Sequence, residues 1–178
     1  MTQKLIYHAK NFKVCSDIFR YDIDGEIRRE VVFIDQPKVA IAVPILETGE
    51  IMLVEQWRPI FGQTLLECPG GKVEPGETVE SALRRELSEE IGLRPNTLTA
   101  LGSFYPSVGS STEQIYCFMA SDLTTTERSA ADRKRMNLRR LSIAQIRDLL
   151  ENTIMPDGKT YIALSAYLRK ASRRVVNH

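Results

Sequence analysis

The chain has 178 residues, 43% of them apolar and 26% charged, and its 24 Lys and Arg stand against 23 Asp and Glu for a formal net charge of +1. That length suffices to bury one ordinary core, and apolar and charged fractions at the soluble-protein average exclude collagen-like, coiled-coil and disordered classes. Near-neutrality excludes a basic protein built to grip long nucleic acid and leaves room for a small acidic or phosphorylated ligand.

In chain order, Met1 through Cys15 carry Lys and His without an apolar signal core, and no run reaches eighteen apolar residues. No signal peptide or membrane span is expected. Phe12 to Tyr21 alternates loosely, Asp24-Gly25 reads as a hairpin turn, and Glu30 to Ile34 carries β-branched and aromatic residues, so the N-terminal segment is expected to be β-rich. Val39 to Leu46 and Ile51 to Trp57 flank Thr48-Gly49 and read as a second hairpin. Thr64 to Cys68 is a short strand, and the stretch Pro69 to Gly76 is too rich in Gly and Pro for helix.

A helix follows. Thr78 is its N-cap, Val79, Ala82, Leu83 and Leu87 recur at helical spacing, and Gly92 sits at its C-terminal stop with Pro95 beyond. Leu98 to Tyr105 and Gln114 to Ala120 read as strands around a polar loop, Pro106 to Glu113, and Met136 to Leu141 as a further short strand. The basic run Arg133 to Arg135 before it reads as a solvated loop or a phosphate contact. Ser142 caps a helix to about Leu150, and a last helix runs from about Lys159 to Ser172. Strands and helices mixed in this order predict an α+β or α/β/α sandwich around one core.

The three cysteines, Cys15, Cys68 and Cys117, are odd in number, far apart and in no CxxC pair, so neither a disulfide framework nor a zinc knuckle is expected and a reducing, cytoplasmic location is. His8 and His178 are the only histidines, which leaves little for a His-based triad.

The chemistry concentrates in Gly71 to Leu93. On the predicted helix Glu86, Glu89 and Glu90 are three and four positions apart, on one side of adjacent turns. Like charges so placed cost a helix roughly 0.2–0.5 kcal/mol per pair. One offset is solvation with Arg84 and Arg85 alongside. The other is a divalent cation, since Glu86 and Glu90 flank the apolar stripe, where unpaired charge is costly. Oxygen ligands without His or Cys favour Mg²⁺ or Mn²⁺.

Gly71, Glu77, Arg85-Glu86-Leu87, Glu89-Glu90 and Gly92-Leu93 resemble the Nudix box without a departure. Seven fixed positions at roughly 7% usage each give a chance match on the order of 1 in 10⁸ per window. The resemblance implies a loop–helix–loop unit that binds Mg²⁺ and hydrolyses a diphosphate linked to another moiety. It implies Glu86 and Glu90 as principal metal ligands, Glu89 as third ligand or proton acceptor, Arg85 as the residue orienting the carboxylates, and the Gly70 carbonyl as a further metal ligand.

Gln56-Trp57-Arg58 and Glu67-Cys68-Pro69-Gly70-Gly71 are similar to the ADP-ribose and nucleoside-diphosphate-sugar pyrophosphatase branch of that family. This implies phosphate contacts for Arg58 and substrate placement for Glu67. Trp57 reads either as a core residue or as a stacking platform. Ser107-x-Gly109-x-x-x-Glu113 is similar to the branch's site loop, or is an ordinary polar hairpin loop. The acidic run that usually precedes the branch's last sheet strand is here Ala131 to Asn137, with only Asp132 acidic, so Glu113, Glu89 and Asp132 are the general-base candidates. The resemblance further implies an antiparallel β extension over residues 1–38 used for homodimerisation, a hydrolase domain with a mixed sheet over 39–178, and a small nucleoside diphosphate substrate. A nucleotide-sensing module without turnover, and a pyrophosphatase for dinucleotides, triphosphates or capped RNA, are the competing readings.

Overall fold

The computed structural model describes residues 3–10, 12–22, 26–152 and 155–175. The chain begins with β1 (Lys4–His8), β2 (Lys13–Asp22) and β3 (Glu26–Asp35), then β4 (Val39–Pro44), β5 (Ile51–Arg58), β6 (Gln63–Glu67) and β7 (Gly70–Lys72). Helix α1 (Val79–Ile91) precedes β8 (Leu93–Phe104) and β9 (Ile115–Thr125). Helix α2 (Ala130–Arg135), β10 (Met136–Leu141), α3 (Ile143–Asn152) and α4 (Gly158–Val175) complete the described chain.

The described residues form three sheets. β1-β2-β3 is an antiparallel N-terminal sheet, β10-β5-β6 is a second antiparallel sheet, and β7-β4-β9-β8 is mixed, with β4 and β9 parallel. The expected β4–β5 hairpin therefore does not form as a ladder: apart from the single bridge Ile45↔Ile51, the two strands belong to different sheets. Both are apolar on both faces (β4 is buried at every position, β5 at Ile51 through Val54), and each is an inner strand of its own sheet.

The period-2 alternation of these strands divides the interior in two. Val39, Ile41, Val43, Ile51 and Leu53 pack with Ile115 and Cys117 against Ile146 of α3 and Ala163, Leu164 and Tyr167 of α4. Ala40, Ala42, Met52 and Val54 pack with Phe118 and Ala120 against Leu83, Leu87 and Ile91 of α1. The small side chains at 40 and 42 let α1 lie close to the strands. The result is the sandwich expected, with α1 on one side and α3 and α4 on the other. Among the described residues, no helix is long and apolar enough to cross a membrane.

Other differences have local causes. The Asp24-Gly25 turn lies outside the described residues, although its flanking strands pair down to Asp22↔Glu26. β1, every residue of which is exposed, has no burial pattern to announce it and was not expected before Phe12. β8 begins at Leu93 rather than Leu98 and includes Pro95, which an edge strand tolerates. Pro69 to Gly76 contains the three-residue strand β7, and the basic run expected as loop forms α2, capped by the Ser129 side chain on the Asp132 N–H.

Candidate active site

Helix α1 starts where expected. The Thr78 side chain accepts from the Ser81 N–H while the Ser81 hydroxyl accepts from the Thr78 N–H, and Gly92 ends the helix in the left-handed region at φ 70°. On the helix so capped, the apolar stripe carries Leu83 and Leu87 into the core, with Glu90 buried and Arg85 and Glu86 half-buried along its edge.

Arg85 is the hub of the acidic cluster. Its Nε and Nη2 donate to Glu77 at 2.9 and 3.0 Å, its Nη1 to Glu86 at 2.9 Å and to Glu89 at 3.3 Å, and its Nη2 also to the Lys72 carbonyl at 3.2 Å. Loop and helix are thereby joined through one guanidinium. Arg85 holds the Glu77 carboxyl down at about 2, and the Glu77 hydrogen bond above all raises the Arg85 pKa.

Glu90 is only 9% exposed. Its Oε2 accepts the Gly70 N–H at 2.8 Å, yet burial pushes its carboxyl up to about 8, with the charges of Glu86, Asp132 and Glu67 adding to the rise. Burial also raises Glu86, against the pull of Arg85. Both carboxyls line one cavity of about 550 Å³ together with Arg58, Glu67, Gly70, Gly71 and Glu113.

The backbone of the 70–71 turn is closely fitted. Gly70 has φ +144°, and a Cβ there would lie 2.1 Å from the Ala40 carbonyl oxygen; a Cβ on Gly71 would lie 2.4 Å from the Glu86 carboxyl carbon. The Glu86 carboxylate thus rests directly on the Gly71 backbone. Two desolvated carboxyls whose ionised forms are disfavoured by burial and by neighbouring acids, Glu89 and Asp132 for Glu86 and Glu86, Asp132 and Glu67 for Glu90, fit a divalent cation. Among the described residues, no three acidic, His or Cys side chains are preassembled as a metal cage; Glu86 and Glu89 are instead turned to Arg85.

Arg58 and Glu67 form a second feature of the cavity. Arg58 Nε and Nη2 grip the two oxygens of Glu67, each at 2.6 Å, and the Arg58 pKa is raised by that hydrogen bond, against burial. The strand alternation that turns Gln56 and Arg58 into the cavity leaves Trp57 outside its lining and 55% exposed. The core reading of Trp57 is therefore wrong, and this chain does not bring Trp57 together with the other site residues.

Glu113 joins the cavity through the loop ahead of β9, which is more than a polar hairpin loop. Ser111 bridges Ile34 of β3, the Ile34 N–H donates to the Ser110 carbonyl at 2.9 Å, the Thr112 N–H to the Ile34 carbonyl at 3.0 Å, and the Gln36 N–H to Thr112 Oγ1 at 3.0 Å. The Ser111 hydroxyl then accepts the Glu113 N–H at 3.1 Å. Asp132, on α2, is close enough to raise both Glu86 and Glu90, but its carboxylate is engaged by the Ser129 hydroxyl.

Two sets of residues escaped the sequence. Arg128 donates through Nε to the Glu90 carbonyl at 2.6 Å and through Nη2 to the Met136 carbonyl at 3.1 Å, fastening the segment after β9 to the end of α1; nothing in its polar surroundings marks it. Asp157 accepts from Lys159 Nζ at 2.8 Å and from the Thr160 N–H and hydroxyl at 3.1 and 2.7 Å, and Thr160 accepts the Cys68 N–H at 2.6 Å. Here Pro156-Asp157-Gly158 is a turn-and-cap signal that was legible.

Residues 36–164 match the family described as NUDIX domain. The chain is 30% identical over 139 residues to an ADP-ribose pyrophosphatase of Bacillus subtilis (strain 168), covering 77% of this chain and 74% of that relative. It is equally 30% identical over 139 residues, with the same two coverages, to a methanol dehydrogenase activator of Bacillus methanolicus. A solved structure titled as an ADP compounds hydrolase superposes with a TM-score of 0.82 over 98% of this chain and 94% of its own, at 21% identity, which establishes the fold.

Proposed function

The chain belongs to the NUDIX family, and from that premise we propose that it hydrolyses the diphosphate bond of ADP-ribose or a related nucleoside diphosphate sugar, with Mg²⁺, to a nucleoside monophosphate and a sugar phosphate. The observation that carries the reading is the juxtaposition of half-buried Glu86 and buried Glu90 with the Arg58–Glu67 pair in one cavity of about 550 Å³. An ADP-ribose pyrophosphatase aligned over three-quarters of the chain supports the substrate class.

A divalent cation bound here supplies charge neutralisation to a diphosphate whose oxygens otherwise repel an incoming water. Glu86 and Glu90 hold it, joined by the Gly70 carbonyl and Glu89, and Arg85 sets their orientation. Arg58 contacts phosphate oxygens, and Glu67 fixes its guanidinium plane and helps place substrate. Glu113 is the first choice for the group that takes the proton from the attacking water, because it lines the cavity, whereas Glu89 is tied to Arg85 and Asp132 to Ser129. Trp57, outside the cavity lining, is left a peripheral contact to the substrate at most.

Residues 1–38 form the extension through which two copies pair. Tyr7, Ile18 and Val32 lie on one face of this sheet and are exposed, and burying such a surface is the ordinary reason for an apolar sheet face. We place the enzyme in the cytoplasm, where the three free thiols stay reduced.

A panel of nucleoside diphosphate sugars, a dinucleotide and a nucleoside triphosphate, incubated with Mg²⁺ and analysed for products, tests the reading. Nucleoside monophosphate plus sugar phosphate from ADP-ribose is the expected result. The similarity to an activator protein favours one second reading, a regulatory module; saturable ADP-ribose binding with no product from any panel member would select it.

A further inference from the structure

Among the described residues, five acidic ones (Glu67, Glu86, Glu90, Glu113 and Asp157) line the cavity against three basic ones (Arg58, Lys72 and Lys159). A polyanion entering it meets repulsion that a cation on the α1 side offsets only there. Arg58 has both Nε and Nη2 committed to Glu67. Lys159, 34% exposed, gives one bond to Asp157, and an ammonium carries three donors, so two are left for a ligand.

We infer that Lys159 is a further diphosphate-binding residue of this site, held at the cavity wall by Asp157. This rests on the pyrophosphatase reading and extends it to a residue outside the family box. The support is a continuous chain of bonds. Lys159 Nζ donates to Asp157 Oδ1, Asp157 Oδ2 accepts the Thr160 hydroxyl, and Thr160 Oγ1 accepts the Cys68 N–H. Two residues on, the Gly70 N–H donates to Glu90. The same turn that seats the Glu90 carboxyl is therefore pinned to the start of α4, which fixes the ammonium relative to the α1 carboxylates. Asp157 also lies close enough to Arg58 to add to the rise in its pKa, so the two cations belong to one charged cluster. A surface lysine would have neither a buried carboxylate partner nor this backbone anchorage.

The test is calorimetric binding of ADP-ribose and of inorganic pyrophosphate to the full chain, each with Ca²⁺ and again in EDTA, for wild type, Lys159→Met and Lys159→Arg. Loss of one charge-assisted bond weakens binding by about ten- to a hundredfold. Lys159→Met is expected to show that loss for both probes with a flatter salt dependence, and Lys159→Arg to recover most of it. Cooperative unfolding with a midpoint a few degrees below wild type in Lys159→Met, where buried Asp157 keeps only its Thr160 bonds, and near wild type in Lys159→Arg establishes that both variants fold. Lys159→Met binding both probes within twofold of wild type overturns the inference while leaving the pyrophosphatase reading intact. Wild type binding pyrophosphate but not ADP-ribose overturns the substrate class, and Lys159 is then judged on pyrophosphate alone. Wild type binding neither probe under any condition overturns both.

Discussion

Arg58 and Glu67 offer an asymmetry that can be measured. Their side chains are 39% and 6% exposed and meet through two bonds of 2.6 Å. Replacing Arg58 by Met leaves a nearly buried carboxylate unpaired in the wall, whereas replacing Glu67 by Gln leaves a guanidinium with an open side. Removing one partner of a fully buried pair costs about 3–5 kcal/mol; because Arg58 is partly solvated the pair is screened, and about 2 kcal/mol is the better figure for Arg58→Met. Glu67→Gln retains a neutral acceptor and should cost about 1 kcal/mol. The double variant Arg58→Met/Glu67→Leu should recover part of the loss, since neither charge is then stranded. Urea unfolding in EDTA at pH 7.5, followed by circular dichroism, gives all three numbers. Thermal midpoints should fall by roughly 4–8 °C for Arg58→Met in a chain of this size. Equal losses for the two single variants, or a loss under about 0.5 kcal/mol for Arg58→Met, would refute the view that the pair is anchored on a buried Glu67.

Burial lifts the Glu90 carboxyl to about 8, above its unfolded value near 4.3. The folded metal-free protein therefore keeps a proton that the unfolded chain has released, and this contribution to stability, complete below about pH 4, is lost as pH rises through 8. On the order of 5 kcal/mol is involved; Glu90→Gln should flatten urea midpoints measured in EDTA between pH 5 and 9, and parallel profiles for the two proteins would contradict this. Gly71→Ala should displace the flexible Glu86 carboxylate, 2.4 Å from the new Cβ, and weaken Mn²⁺ binding about tenfold with little change in unfolding midpoint. Gly70→Ala meets the Ala40 carbonyl at 2.1 Å, which cannot yield, so it should lower stability by about 2 kcal/mol or more. Ile18→Asp combined with Val32→Asp should shift the protein from dimer to monomer in sedimentation equilibrium; unchanged mass would remove the proposed interface.

What was legible in the sequence was what local chemistry decides. Thr78, the spacing of Ala82, Leu83 and Leu87, and Gly92 specify α1 through a cap, a stripe and a stop, and the structure has each. The flanking position of Glu86 and Glu90 on the stripe follows from the same 3.6-residue period, and Glu90 is accordingly buried. What failed was non-local. Thr48-Gly49 is a good turn, but whether β4 and β5 pair across it depends on β9, β10 and the helices that claim their faces, and no local signal encodes that choice. Arg128 reaches Glu90 across 38 residues, and Thr160 reaches Cys68 across 92, so their roles exist only once the chain is folded. The loop carrying Glu113 stayed open between a site loop and an ordinary polar connection because its partner, Ile34 of β3, is remote in the chain. Trp57 stayed open between core residue and stacking platform because an alternating strand reveals its two faces without saying which one the molecule covers.

The central claim is that Glu86 and Glu90 hold a divalent cation that makes this cavity a diphosphate-cleaving site. Product analysis of ADP-ribose incubated with Mg²⁺ and wild type, Glu86→Gln or Glu90→Gln tests it most directly. The account predicts AMP and ribose 5-phosphate from wild type and a loss of rate of at least about a hundredfold in each variant; full activity in both variants would contradict it.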